Sequence, residues 1–405
     1  MLKELRKKLL NPVLSKQQAL DTKYEAILNN QNQKLDSLTN TINLLSKTIS
    51  EELPSPLLEA ISIPQITEKV NNVIYIIDNG NIQVINTSFG SVSYYWVVYS
   101  KANDPISEAA RANTIPIEHN LFELFKTPGT FLDIGANIGA FCLPFCAMGW
   151  KGYAFEASSQ NVDVLSKSIH LNGFDITIIN EAVYDKTGSI YFGQGGPFGL
   201  VRNEMTTGIT WEELSCICLD DWYKKNNPPE KVDFIKMDIE GSEVAALNGM
   251  KEMLKKYEFP PIFLEANSYT LFLQNETQRS LLMKANEMGY NAYVLKNNKL
   301  MKYDINYFPT VIVTDFLLLK DIPKNLNITP IETYIQTQDE VIEVILHGLT
   351  KFCDHNSNVD ICFCYALKDF PEYSSIREIK TKLEEIYTKN VEDKFLNKYL
   401  GWFIQ

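Results

Sequence analysis

The spacing of hydrophobic positions changes along the 405-residue chain, and each change marks a different kind of element. In the first 55 residues, Leu28, Leu35, Ile42 and Ile49 recur every seven places, with Leu38 and Leu45 three places after two of them. This a/d spacing predicts a coiled-coil helix within an N-terminal segment, residues 1–57. Gln31 at a d position weakens the seam, so a helix packed against its own chain stays open beside self-association into a homo-oligomer. Residues 51–56, Glu-Glu-Leu-Pro-Ser-Pro, break the helix and serve as a linker. Residues 58–114 then read as a β-rich leading segment. There, 73–77 and 82–85 flank Asp78-Asn-Gly-Asn81, a hairpin signal. Tyr94, Tyr95, Trp96 and Tyr99 follow, either to stack on a ligand or to pack beneath the next domain.

From residue 115 to 320, short apolar strands are followed by helical periodicity. Residues 131–141 read Phe-Leu-Asp-Ile-Gly-Ala-Asn-Ile-Gly-Ala-Phe: a strand ending in Asp133, a small-residue loop, then a helix. Such a turn cradles a nucleotide-like cofactor. Glycines let the backbone approach a ligand, and free N–H groups at the helix start suit an anionic group. The spelling Asp-x-Gly-x-Asn-x-Gly is neither the Gly-x-Gly-x-x-Gly of a dinucleotide fold nor a P-loop. An acid at the strand end suits a cation instead, such as the amino group of S-adenosylmethionine. Tyr153-Ala-Phe-Glu156 predicts a second strand ending where a βαβ unit places its ribose-binding acid. Residues 161–171 predict a helix stopped at Asn172-Gly173, and 176–179 a third strand leading into Glu181-Ala182-Val183.

A second cluster, residues 233–243, reads Asp-Phe-Ile-Lys-Met-Asp-Ile-Glu-Gly-Ser-Glu. Alternation puts Lys236, Asp238 and, if the strand runs on, Glu240 on one side, with Ile235, Met237 and Ile239 on the other. Charges on an apolar strand are costly to bury unless paired or used. A structural Lys–Asp pair capping the strand is the plainer alternative. Glu243 reads as an ordinary acid in a helix's first turn.

Taken together, these blocks resemble the FkbM-like family of S-adenosylmethionine-dependent methyltransferases. Leu171-Asn-Gly173, Ala182-Val183 with Gly188, Leu219-Asp-Asp221 and Phe263-Leu-Glu265 also match, over roughly residues 115–315. The resemblance implies a class I Rossmann-like α/β fold, a mostly parallel sheet with helices on both faces. It also implies O-methylation, of sugar or glycan hydroxyls or of natural products. Asp133, Gly135, Ala136, Asn137 and Gly139 are then expected to hold the methionine part of the cofactor. Glu156 takes the ribose, and Glu181 with Ala182 borders adenine. Asp238 and Glu240 stand where the methyl group emerges, one of them as base. Lys236 keeps Asp238 ionised, and Glu265 contacts acceptor hydroxyls. No metal site is expected. The stretch 193–211 does not align, and its glycine-rich 193–199 with Arg202 and Asn203 reads either as a lid or as a surface loop.

Composition narrows the partners. Net charge is −12 with no basic stripe, which argues against a nucleic-acid substrate. The hydrophobic fraction, 45%, is that of a globular protein, and no run approaches a membrane span. Met1-Leu-Lys-Glu-Leu-Arg-Lys-Lys8 is no secretory signal, so a cytoplasmic location is expected. The seven cysteines read as reduced thiols, and Cys353, His355, Cys362 and Cys364 fit no common zinc spacing. Residues 321–405 predict a mainly helical extension, with helices over 339–349 and 376–387 and an apolar run at 359–367 that fits strand or helix. Two other functions remain open: a scaffold with an inert core, and a methyltransferase acting on a natural product or a protein.

Overall fold

All five residues of Thr130–Ile134 are buried, as befits a strand covered on both faces. The computed structural model describes residues 69–70, 73–74, 81–100, 104–112, 121, 124–125, 127–193, 200–202, 211–225, 228–296, 299–309, 313–322, 332–333, 336–355 and 361–389. The heptad seam at 28–49, the linker at 51–56, the loop at 194–199 and Asn203 lie outside the described residues.

Thr130–Ile134 belongs to a nine-stranded sheet. From one edge the order is Glu332–Thr333, Lys299–Lys302, Asn291–Lys296, Val313–Leu319, Ile262–Asn267, Phe234–Met237, Thr130–Ile134, Lys151–Phe155 and Ile176–Ile179. The five strands from Ile262–Asn267 to Ile176–Ile179 are parallel. Val313–Leu319 and Asn291–Lys296 add an antiparallel flank to this parallel block.

Period-two alternation divides the interior into two cores. Phe131, Ala154 and Phe234 face one side, with the helices Cys142–Ala147 and Ser159–Asn172. Leu132, Ile134, Ile235 and Met237 face the other, with the helices Leu219–Lys225, Glu243–Asn248 and Gln278–Glu287. Helices thus cover both faces of a sheet whose centre is parallel, as α/β folds require. Ser159–Asn172 ends on Gly173 at φ 64, the left-handed cap expected from Asn172-Gly173.

The leading segment forms a hairpin, Ile82–Phe89 paired with Val92–Tyr99. Val73–Ile74 adds to its edge through Ile85 and Val84. Tyr94 and Trp96 are buried and Tyr95 is exposed, so the aromatic run packs rather than presenting a ring platform. The hairpin docks on Ser159–Asn172: Val97 N–H donates to Ser168 Oγ at 2.9 Å, and Tyr95 N–H to Asn172 Oδ1 at 2.8 Å. Trp96 Nε1–H donates to the carbonyl of Ile138 at 2.8 Å, inside the small-residue loop.

Beyond the sheet, Gln338–His355, Ile361–Ala366 and Arg377–Lys389 are helices. They gather around Phe272 of the helix Ser268–Leu273 through Val341, Ile345, Leu349 and Leu383. The ambiguous apolar run at 359–367 is therefore helical where it is described. Among the described residues no helix is long and apolar enough to cross a membrane, and no group of His, Cys, Asp and Glu is arranged to hold a metal.

Trp96→Phe keeps most of the ring volume but leaves the Ile138 carbonyl without its donor. Urea unfolding is expected to show a loss of about 1–3 kcal/mol. Trp96→Ala, which also opens a cavity, is expected to cost about 3–5 kcal/mol.

Candidate active site

Strand register brings the two sequence clusters together. Lys236 pairs with Asp133 across the central strands and with Phe263 on its other side. Lys236 therefore lies between the strand that ends in the small-residue loop and the strand that carries Glu265. Its Nζ donates to the carbonyl of Gly135 at 2.7 Å. It also stands 3.4 Å from Asp133 Oδ1 and 3.6 Å from Asp238 Oδ2. Burial alone would lower the lysine's pKa, but Asp133 and Asp238 outweigh it and hold the ammonium charged.

Asp133 lies next to the last residue of its strand, as the sequence predicts, but enclosed. Its side chain is fully buried, and neither carboxylate oxygen makes a hydrogen bond; the contact with Lys236 is an ion pair without hydrogen-bond geometry. Burial pushes its carboxyl above the ordinary range, and Lys236 opposes the rise. A solvent-facing contact between Asp133 and a ligand's amino group is not offered. Asp133 acts on the loop through Lys236, which grips Gly135.

In the loop, the N–H groups of Gly135 and Ala136 donate to Phe155 O at 2.9 and 3.0 Å. Asn137 N–H donates to Glu156 Oε2 at 2.8 Å, Ile138 N–H to Asn137 Oδ1 at 2.7 Å, and Gly139 N–H to Ala136 O at 2.9 Å. The N–H groups of residues 135–139 are thus all occupied, by Phe155 and Glu156 and by acceptors within the loop, whereas the free N–H groups expected at the helix start would belong to the turn that follows them. Asn137, at φ 49, turns the chain so that its side chain serves as acceptor. Gly135, at φ 81, is obligatory, because a Cβ there would lie 1.9 Å from Asp238 O.

Glu156 follows directly on the strand Lys151–Phe155. It accepts from Asn137 N–H, from Ser158 N–H at 2.8 Å and from Asn161 Nδ2 at 3.4 Å. A carboxylate offers about four acceptor positions, so room for a hydroxyl donor remains. Burial raises its pKa, and the hydrogen bonds from Ser158 and Asn137 oppose the rise. Asn180 Nδ2 donates to Glu156 O at 2.8 Å, which ties the Glu181-Ala182 stretch to the same corner. Ala182 is buried beside Ala157, while Glu181 stays partly exposed.

The strand carrying Lys236 ends at Met237, although Asp238 N–H still donates to Ile134 O at 3.0 Å. Glu240 therefore does not reach the site by strand alternation. It sits in a left-handed turn at φ 52, followed by Gly241 at φ 96, where a Cβ would meet Thr270 O at 2.3 Å. Burial, then the charges of Asp238 and Glu243, push Glu240 up to about 8. Glu265 is likewise pushed up to about 8, by burial and then by Asp238, Glu240 and Asp315. Asp238, Glu240, Glu265 and Lys236 thus share one electrostatic environment at the carboxyl ends of parallel strands, where α/β sites gather.

Three contributors escaped the sequence reading. Asn161 links Glu156 to Tyr99 of the hairpin, whose hydroxyl donates to Asn161 Oδ1 at 2.9 Å. Trp96 supports Ile138. Glu243 is buried and accepts from Ile239 N–H at 3.1 Å and Gly241 N–H at 3.2 Å. Its place after Gly241-Ser242 and before Val-Ala-Ala-Leu was the available signal.

Among solved structures, the chain is similar to a ribosomal protein L11 methylase from Lactobacillus delbrueckii subsp. bulgaricus, at 11% identity and a TM-score of 0.29, over 49% of this chain and 74% of that one. It is similar to a T. thermophilus 16S rRNA N2 G1207 methyltransferase in complex with AdoMet and guanosine, at 13% identity and 0.33, over 59% and 51%. It is similar also to a Pyrococcus abyssi tRNA (uracil-54, C5)-methyltransferase in complex with S-adenosyl-L-homocysteine, at 10% identity and 0.30, over 58% and 43%. This chain spans about half the length of the latter two. No curated protein matches it. The family model described as the Methyltransferase FkbM domain matches residues 133–292, a stretch that contains Asp133, Glu156, Lys236, Asp238, Glu240 and Glu265. Over those residues the chain is similar to the Methyltransferase FkbM domain.

Proposed function

We propose that the protein transfers a methyl group from S-adenosylmethionine to a hydroxyl of a sugar, glycan or glycoconjugate. The observation that carries the cofactor assignment is the loop's lack of free donors. With the N–H groups of 135–139 already taken by Phe155, Glu156 and the loop itself, a phosphate would find no free donors there. A cofactor without a phosphate, carrying positive charge beside Asp238, Glu240 and Glu265, suits such a site. S-adenosylmethionine supplies an electrophilic methyl group on a positively charged sulfur.

The protein's own residues do the rest. Gly135, Ala136, Asn137 and Gly139 shape the wall for the methionine part, held in place by the grip of Lys236 on Gly135 O. Asp133 keeps Lys236 charged from behind. Glu156 offers its remaining acceptor position to a ribose hydroxyl. Glu181 and Ala182 border adenine. Asp238 lines the side on which the methyl emerges, and Glu265 accepts from an acceptor hydroxyl. Glu240 takes the proton of the attacking hydroxyl, since a base titrating near the working pH is the most effective kind. The acceptor oxygen must also lie in line with the transferring methyl, and that alignment accounts for much of the rate. The sugar class rests on the family resemblance and on carboxylates suited to accepting hydroxyl protons.

Calorimetry with S-adenosylmethionine should show binding. Incubation with a panel of sugars and glycans should then give products heavier by one methylene. A folded sample that binds no S-adenosylmethionine would sink the proposal and favour a scaffold. Glu240→Gln is expected to lower kcat by about 10²–10⁴-fold with the KM for S-adenosylmethionine little changed. The pH profile follows from the raised carboxyl. The ionised fraction of a base near 8 grows as pH rises, so turnover should climb with pH and level off above about 8. Loss of that climb in Glu240→Gln would identify the base, whereas its persistence would move the role to Glu265, which titrates in the same range.

A further inference from the structure

The left-handed turn that carries Glu240 is held from below by a buried acid. Glu243 opens the helix Glu243–Asn248 and is itself 2% exposed. One oxygen, Oε1, accepts from the N–H groups of Ile239 and Gly241, the residues on either side of Glu240. The other, Oε2, is buried without a hydrogen-bond partner. A charged carboxylate with one oxygen left bare in an apolar setting is costly, whereas a neutral acid needs only Oε1 to hold the turn. Burial raises Glu243 to about 7, in the same sense. The turn has little other freedom. Gly241 lies against the Thr270 carbonyl, and the Asp238 carbonyl lies against Gly135. A non-glycine residue at φ 52 relaxes readily to negative φ once its flanking amides are released. Relaxation would swing the Glu240 side chain away from Asp238 and Glu265.

We infer that Glu243 is the positioning residue for Glu240, holding the amides of Ile239 and Gly241 so that the left-handed turn presents Glu240 to the acceptor. The inference rests on the reading in which Glu240 acts on the acceptor hydroxyl. The holding itself is a property of the chain alone, and it can be measured without any acceptor.

The test compares Glu243→Gln, which keeps an acceptor oxygen in place, with Glu243→Ala, which removes it. Glu243→Asp, which keeps the acid but draws it back, stands in if the alanine variant does not fold. Amide hydrogen exchange, resolved at Ile239 and Gly241, should show protection lost in Ala or Asp and kept in Gln. Steady-state kinetics should show kcat reduced about tenfold or more in Ala or Asp, with the KM for S-adenosylmethionine within about twofold. The Gln variant should stay close to the unmodified protein in both. The inference is overturned if protection at 239 and 241 survives in Ala or Asp, or if Gln is as impaired as they are. If the protein methylates nothing, the exchange result still decides whether Glu243 holds the turn, so the two failures are told apart.

Discussion

The ammonium of Lys236 ties together two loops that lie 101 residues apart in sequence. It donates a hydrogen bond to the Gly135 carbonyl and forms ion pairs with the carboxylates of Asp133 and Asp238. Its side chain is 12% exposed and that of Asp133 is fully buried, so little solvent intervenes. Removing one partner of such a pair leaves a stranded charge, a cost of about 3–5 kcal/mol. The arrangement therefore tolerates neither a missing lysine nor a missing acid, although the pair itself is a weak source of stability. Its effect is geometric. It fixes the end of one strand against the end of its neighbour, and the backbone contact between Gly135 and Asp238 O leaves no room for slack.

The same constraint explains how much of the site could be read from the sequence. Alternation along Phe234–Met237 was enough to set Lys236 on the side opposite Ile235 and Met237, while its register with Asp133 is a tertiary fact. It failed at Glu240, because the strand stops at Met237 and the chain enters a left-handed turn that no periodicity announces. The small-residue loop was legible as a turn between strand and helix. Its donors were not, because the acceptors that consume them come from the loop's own Ala136 and Asn137 and from Phe155 and Glu156 on the next strand and just beyond it. The enclosure of Asp133 was hidden for the same reason. The helix Cys142–Ala147 and the lysine that enclose it are tertiary facts.

Elsewhere, legibility followed regularity. The helix ending at Asn172-Gly173 and the two-faced central strands were plain from pattern, since a glycine cap and period-two burial are local signals. The apolar run at 359–367 was not, because a short apolar stretch reads alike as strand or buried helix. The aromatic run near Trp96 suggested either a ligand platform or packing. The structure shows packing, and with it a direct hydrogen bond to the small-residue loop from a segment that the family match does not reach.

The central strand pair also sets an order of events during synthesis. Thr130 and Asp233 exchange hydrogen bonds across 103 residues of chain, a non-local closure of the kind that slows folding. The hairpin Ile82–Phe89 with Val92–Tyr99 and the helix Ser159–Asn172 can meet early, because all of their partners have already left the ribosome. Lys236 emerges later, and the strand Ile262–Asn267 gains its outer neighbour only when Val313–Leu319 follows. Until then Asp133 lacks its lysine, and a lone carboxyl enters an apolar interior by taking up a proton. Closing the centre of the sheet is thus linked to the charge state of one carboxyl until Lys236 is in place beside it.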